Sequence, residues 1–206
     1  MRSIASLQLD GGCPVFDFTN TISNRNDPDY FDYLTKYNDF IQWSEKIGLL
    51  SKGRIHAISI FYESHVRKSA DTLRQVVEAR EVIFTLFSSL AQHRKADKGA
   101  MDAFNGLLSE ALSNMRIDVG RTEVTTSFAV SEKTILKEPL YLLIKNAFDI
   151  LSSQSFERIK ECPTCRWLFL DTTKNGKRRW CNMQVCGSND KARRYYHRKK
   201  ESTNPA

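Results

Sequence analysis

The 206-residue chain has no apolar run approaching the roughly 18 residues that a membrane-crossing helix needs. Its first ten residues, Met1 to Asp10, lack the apolar stretch of a secretory signal. Both absences point to a protein kept in a reducing cytoplasm. No internal repeat is visible. There is no phosphate-binding glycine loop, since the Gly11-Gly12 pair is too short to be one, and no Ser-His-Asp arrangement or paired-carboxylate motif. An enzyme is therefore the least supported class. Acidic residues are scarce in one region only. Between Arg158 and Lys200, thirteen Lys and Arg stand against Glu161, Asp171 and Asp190, a local charge of +10. The whole chain carries +7, so the remainder is at −3. Such asymmetry fits a polyanionic partner for the basic end, or a solvated tail.

Cysteine is also sparse, and its placement is informative. Four of the five cysteines fall at Cys162-x2-Cys165-x15-Cys181-x4-Cys186, and Cys13 stands apart as a small buried residue. In a reducing compartment such a cluster points to metal before disulfides. A C-x2-C pair sets two thiolates on one tight turn, and a second pair closes a tetrahedral shell around one Zn²⁺. Four thiolates leave no open position for water, which makes the site structural and not catalytic. His197 is an alternative ligand, but it lies about three helical turns past Cys186. Between the pairs, Asn175-Gly176 is a reversing signal. It predicts a hairpin of Arg166–Leu170 with Lys177–Trp180 that returns Cys181 to the first pair. Trp167, Phe169 and Trp180 are its apolar contacts. After Cys186, Ser188 or Asn189 can cap a helix over Lys191–Lys200. Lys191, Arg194 and Arg198 then share one face. With Lys177, Arg178, Arg179, Arg193 and Tyr195 they form the candidate nucleic-acid contacts, through phosphates and guanine edges.

The preceding stretch reads as helical. Val15–Phe18 is a short strand or a buried turn. Tyr33 to Ile47 has helical spacing with Gly48 at its end, and Ser51 caps a second helix. The longest stripe runs from Val66 to His93, with Arg80 as its polar member. Asp97 caps another helix. Met115–Val119 and Glu123–Val130 read as a hairpin, and a last helix starts near Ser131–Pro139. The fold class predicted is α+β, mainly helical. A helical domain with a small β-hairpin covers 1–155, and a small treble-clef or ribbon-like zinc finger covers 156–206.

The run Cys162-Pro-Thr-Cys-Arg-Trp-Leu-Phe-Leu-Asp171, then Arg178-Arg-Trp-Cys-Asn-Met183, Cys186-Gly187 and Lys191-x-Arg-Arg-Tyr195 closely resembles the CGNR zinc-finger family. Phe16-Asp-Phe-Thr-Asn-Thr21, Arg25, and Asp39-Phe-Ile-Gln-Trp43 to Gly48-Leu-Leu50 resemble the α/β domain that precedes the finger there. One departure is visible: the namesake Cys-Gly-Asn-Arg is here Cys186-Gly187-Ser188-Asn189. The resemblance implies a bacterial, stress-responsive transcription regulator that binds DNA through the finger. It also implies a body that senses a small-molecule effector; the leading reading of the chain is a DNA-binding regulator whose body either senses such an effector or forms a homodimer. Asp17, Asn20, Thr21 and Arg25 either line an effector pocket or form a turn-and-capping network. RNA binding, with Tyr195 and Tyr196 stacking on unpaired bases, and binding to an acidic protein partner are the alternatives.

Overall fold

The computed structural model describes residues 2–153 and 156–203. Its elements run α1 Pro14–Thr19, α2 Tyr37–Lys46, α3 Lys52–Ser64, α4 Val66–Ala91 and α5 Lys98–Asn114. A hairpin of β1 Met115–Val119 and β2 Val124–Phe128 follows, then α6 Glu138–Ser153. A second hairpin, β3 Ile159–Glu161 with β4 Leu168–Leu170, leads to α7 Ser188–Thr203. Each hairpin is its own two-stranded antiparallel sheet. The protein is thus mainly helical with two small β-hairpins. The expected boundary at 155/156 falls beside residues outside those described.

Local signals explain most helix ends. The Ser51 hydroxyl accepts from the Arg54 amide, and Asp97 accepts from the Ala100 amide at 2.8 Å, so each supplies an orphan donor of a first turn. Gly48 sits just past α2 at φ 65°, the left-handed ending that costs glycine least. Helix α1 differs from the expected strand or turn. Pro14 occupies its first position, where a missing N–H is harmless, and five of its six residues are buried. Only six residues long, it owes its helicity to packing and not to periodicity.

Helix α4 is the central pillar. It touches α1, α2, α3, α5 and both strands of the second hairpin. Its buried face carries Val76, Ala79, Ile83 and Phe87. Phe87 meets Phe16 of α1 edge-on at 5.0 Å, a pairing that adds about 1 kcal/mol beyond area burial. Phe18, Phe40 and Trp43 complete an aromatic layer. This core runs without a break into Ile159, Trp167, Leu168 and Phe169 of the second hairpin.

The second hairpin departs from the expected pairing. β4 pairs with β3, residues that precede Cys162, in the register Ile159↔Leu170 and Glu161↔Leu168. Lys177–Trp180 forms no strand. The cause is that the other edge of β4 is already taken. Leu170 N–H donates to Gly11 C=O at 2.8 Å, and Leu168 is held by the Asn20 side chain. Asn175-Gly176 still reverses the chain, with Gly176 at φ 59°.

Candidate metal centre and basic surface

The turn from β3 to β4 carries the first cysteine pair. Cys162 N–H donates to Trp167 C=O at 2.9 Å, and Arg166 N–H returns to Cys162 C=O at 2.8 Å. Arg166 takes a left-handed φ of 61° to close this knuckle. The second pair is set by Asn182. Its side-chain oxygen accepts from the Gln184 and Val185 amides, and its carbonyl accepts from the Cys186 and Gly187 amides. That turn feeds directly into α7, so the helical run begins before the expected cap at Ser188 or Asn189.

All four sulfurs are buried and lie within 4.8 Å of one another. Cys165, Cys181 and Cys186 are separated by 3.5, 3.6 and 3.6 Å. A tetrahedron with metal–sulfur bonds of about 2.3 Å has edges of about 3.8 Å, so the set is shaped for one ion. Bonded sulfurs would sit at about 2.05 Å, and all four cysteines are free. Hydrogen bonding to Cys162, then burial, raises the thiols of Cys165 and Cys181. A divalent cation removes that obstacle and lets all four ionise together. The donor set is one structural Zn²⁺ site with a closed shell. The His197 side chain lies outside those described. Cys13 is apart from the cluster, half-buried at the start of α1, and burial pushes its thiol up to about 12.

The metal hairpin is bolted to the body by residues of the Phe16–Arg25 segment. Asn20 donates to Leu168 C=O at 2.8 Å and accepts from Leu168 N–H at 3.0 Å. Trp167 Nε1 donates to Ile22 C=O at 2.6 Å. Arg25 N–H donates to Cys165 C=O at 3.0 Å, and Asn26 reaches Thr164 C=O. The Arg25 guanidinium lies 3.7 Å over Phe84 and pairs with Glu81. Thr21 accepts from Arg80, which also forks onto Asp32 at 2.7 and 2.8 Å. Burial opposes both charges in the Arg80–Glu81 pair. The hydrogen bonds outweigh it, holding Arg80 above and Glu81 below their ordinary ranges. Asp17 accepts from the Gly11 amide at 2.8 Å. Gly11 has no room for a side chain, since a Cβ there would lie 2.6 Å from Asp17 N. Asp17, Asn20, Thr21 and Arg25 therefore spend these polar groups inside the protein, as the capping network.

The basic residues divide into two groups. Arg178 is inward: it stacks over Phe169 at 4.6 Å and donates to the carbonyls of Trp180, Cys181 and Asp10. Arg193 and Arg194 pair with Asp190, a buried acid in the first turn of α7. The Arg194 bond, working against burial, sets Asp190 below the usual carboxylate range. Lys177, Arg179, Lys191 and Arg198 are exposed and, among the described residues, have no carboxylate within ion-pair distance. Tyr195 and Tyr196 are 58% and 69% exposed.

The family model described as a putative stress-induced transcription regulator, ABATE, matches residues 12–154. The chain belongs to the ABATE family. A CGNR zinc finger model matches residues 158–199, over the four thiols and most of α7. No curated protein matches the chain. In this ABATE chain Ser188 and Asn189, which replace the namesake Asn-Arg, are exposed at the start of α7. The thiol cluster itself does not use them.

Three contributors escaped the sequence reading. Asp171, almost wholly buried, ties the loop after β4 by accepting from Thr173 and from the Arg178 amide. Burial would raise its carboxyl, but these bonds hold it low. Asp10 braces the metal turn through Asn182 at 3.2 Å. Asn182 itself carried a signal, a polar capping residue beside a metal ligand. None of the described helices is long and apolar enough to cross a membrane.

Proposed function

We propose that this ABATE-family protein is a DNA-binding transcription regulator whose zinc-braced C-terminal unit docks on the phosphate backbone. The carrying observation is the pairing of a thiol-lined metal site with four exposed cations that form no ion pair among the described residues: Lys177 and Arg179, which stacks over Trp180, on the loop, and Lys191 and Arg198 on α7. Metal supplies the rigidity that so small a unit lacks, and exposed cations at fixed spacing suit phosphates. Arg193, Arg194 and Tyr195 stand beside them for further phosphate or base-edge contact. Arg178 serves the unit's own fold. The protein works in the cytoplasm.

The helical body acts as the dimerisation or effector-sensing part. Support for sensing is a cleft between α2, α3 and α4 with Tyr37, Tyr62, Val66 and Leu73 on its wall and Lys36 and Arg74 at its rim. The test of DNA binding is its salt dependence. Four neutralised phosphates predict about a 150-fold loss of duplex affinity between 50 and 200 mM salt. Salt-insensitive binding, or none at low salt, refutes the proposal. A second reading rests on the exposed Tyr195–Tyr196 pair, which suits stacking on unpaired bases. Single-stranded RNA outcompeting duplex DNA would favour it.

A further inference from the structure

The hairpin β1–β2 projects from the body with a face that begins in the core and ends in solvent. At its root Phe128 is buried against Tyr141, with ring centres 5.5 Å apart. Further out, on the same face, Ile117, Val119 and Val124 are 62%, 72% and 64% exposed. Among the described residues the sheet has two strands, and nothing there pairs with the outer edge of β1. Natural edges of this kind are usually blunted by Lys, Pro or a bulge. The sequence Met115-Arg-Ile-Asp-Val119 has none of these, and its register against β2 is unbroken.

We propose that β1 pairs antiparallel with β1 of a second copy of this chain, about a two-fold axis at Ile117. The backbone phase permits it. Gly120 N–H bonds to Glu123 C=O and Ala129 N–H to Asn114 C=O, so the even-numbered residues of β1 bond inward to β2. The amide and carbonyl of Ile117 and Val119 therefore point to the free edge. A two-fold axis at Ile117 makes the two Ile117 residues exchange both hydrogen bonds. The same register sets Arg116 opposite Asp118 of the second copy and Asp118 opposite its Arg116. Both charged residues are exposed. Among the described residues Arg116 donates to the carbonyls of Ser113 and Met115, and neither it nor Asp118 has an ion-pair partner there. On the other face, Ile117 meets Ile117, and Met115 meets Val119. A five-residue segment that is complementary to itself in hydrogen-bond phase, charge and apolar contact specifies its own copy as occupant.

This deepens the dimerisation part of the functional reading, and its test uses no nucleic acid. DNA binding can thus fail or hold independently. Sedimentation of the zinc-loaded full chain over about 1–500 µM is expected to show a concentration-dependent rise from 23.7 kDa towards twice that mass. Arg116→Asp puts like charges opposite each other twice per dimer, and so does Asp118→Arg. Each alone is expected to weaken association about tenfold or more. Mixing the two variants restores both opposite-charge pairs, and the mixture is expected to associate as the unmodified chain does. Both positions of change are exposed on β1, and far-UV circular dichroism checks that the fold is retained. A chain that stays monomeric at 500 µM overturns the proposal. So does a dimer indifferent to both single changes, or single variants whose mixture fails to associate.

Discussion

Replacing Asn20 by Ala removes the clip between body and metal hairpin. Asn20 is 1% exposed, and its amide makes both bonds to the backbone of Leu168. Ala leaves the Leu168 N–H and C=O buried without partners and without access to water. Each such group costs about 1–3 kcal/mol, so a loss of about 3 kcal/mol is expected for the pair. That is a large share of a typical total of about 5–15 kcal/mol. In urea, with a slope near 3 kcal/mol/M for a chain this long, the midpoint should fall by about 1 M. Asn20→Asp keeps an acceptor for the Leu168 amide but sets a negative oxygen against the Leu168 carbonyl, and should lose at least as much. Both are read on zinc-loaded protein by tryptophan fluorescence. Midpoint shifts below about 0.3 M for both variants would refute the structural role and return Asn20 to the set of candidate effector contacts.

Chelation of the metal should unfold residues 158–203 and expose Trp167 and Trp180, since structural zinc supplies on the order of 10 kcal/mol to such units; near-UV circular dichroism unchanged by a strong chelator would contradict it. Lys191→Ala with Arg198→Ala should lower the salt slope of DNA binding by about 2 while leaving stability within about 0.5 kcal/mol. Burial, more than the nearby Asp10 charge, lifts the Asp17 carboxyl to about 6 against an ordinary 3.8. Its ionised form is thus disfavoured by folding, so stability falls as pH rises through that window. Between pH 5.5 and 7.5 the loss assigned to Asp17 is about 1 kcal/mol, and Asp17→Asn, which retains the oxygen that accepts from Gly11, should abolish it. Urea midpoints of the two proteins at both pH values measure the difference.

Much of this was legible because some signals are local. The spacing of Cys162, Cys165, Cys181 and Cys186 carries the metal site by itself, and the stripes of α4 and α6 carry the core. Ser51, Gly48 and Asp97 mark ends that the backbone needs. What escaped depends on partners far along the chain. β4 does not pair with Lys177–Trp180 because Gly11 and Asn20, about 150 residues earlier, hold its other edge. Helix α1 is too short to show a period and follows from burial. Arg80 was visible as a polar residue in an apolar stripe, but nothing local pointed to Asp32. The division of the basic residues was also hidden: charge counts Arg178 and Arg198 alike, while the fold turns one inward and leaves the other exposed.

The central claim is that metal-braced cations make this ABATE protein a DNA-binding regulator. Selection from a random pool of duplex DNA, run with zinc-loaded and with zinc-stripped full-length protein, tests it most directly. The account predicts an enriched sequence with the zinc-loaded protein and none with the stripped one. No enrichment with zinc present, or equal enrichment without it, would contradict the account.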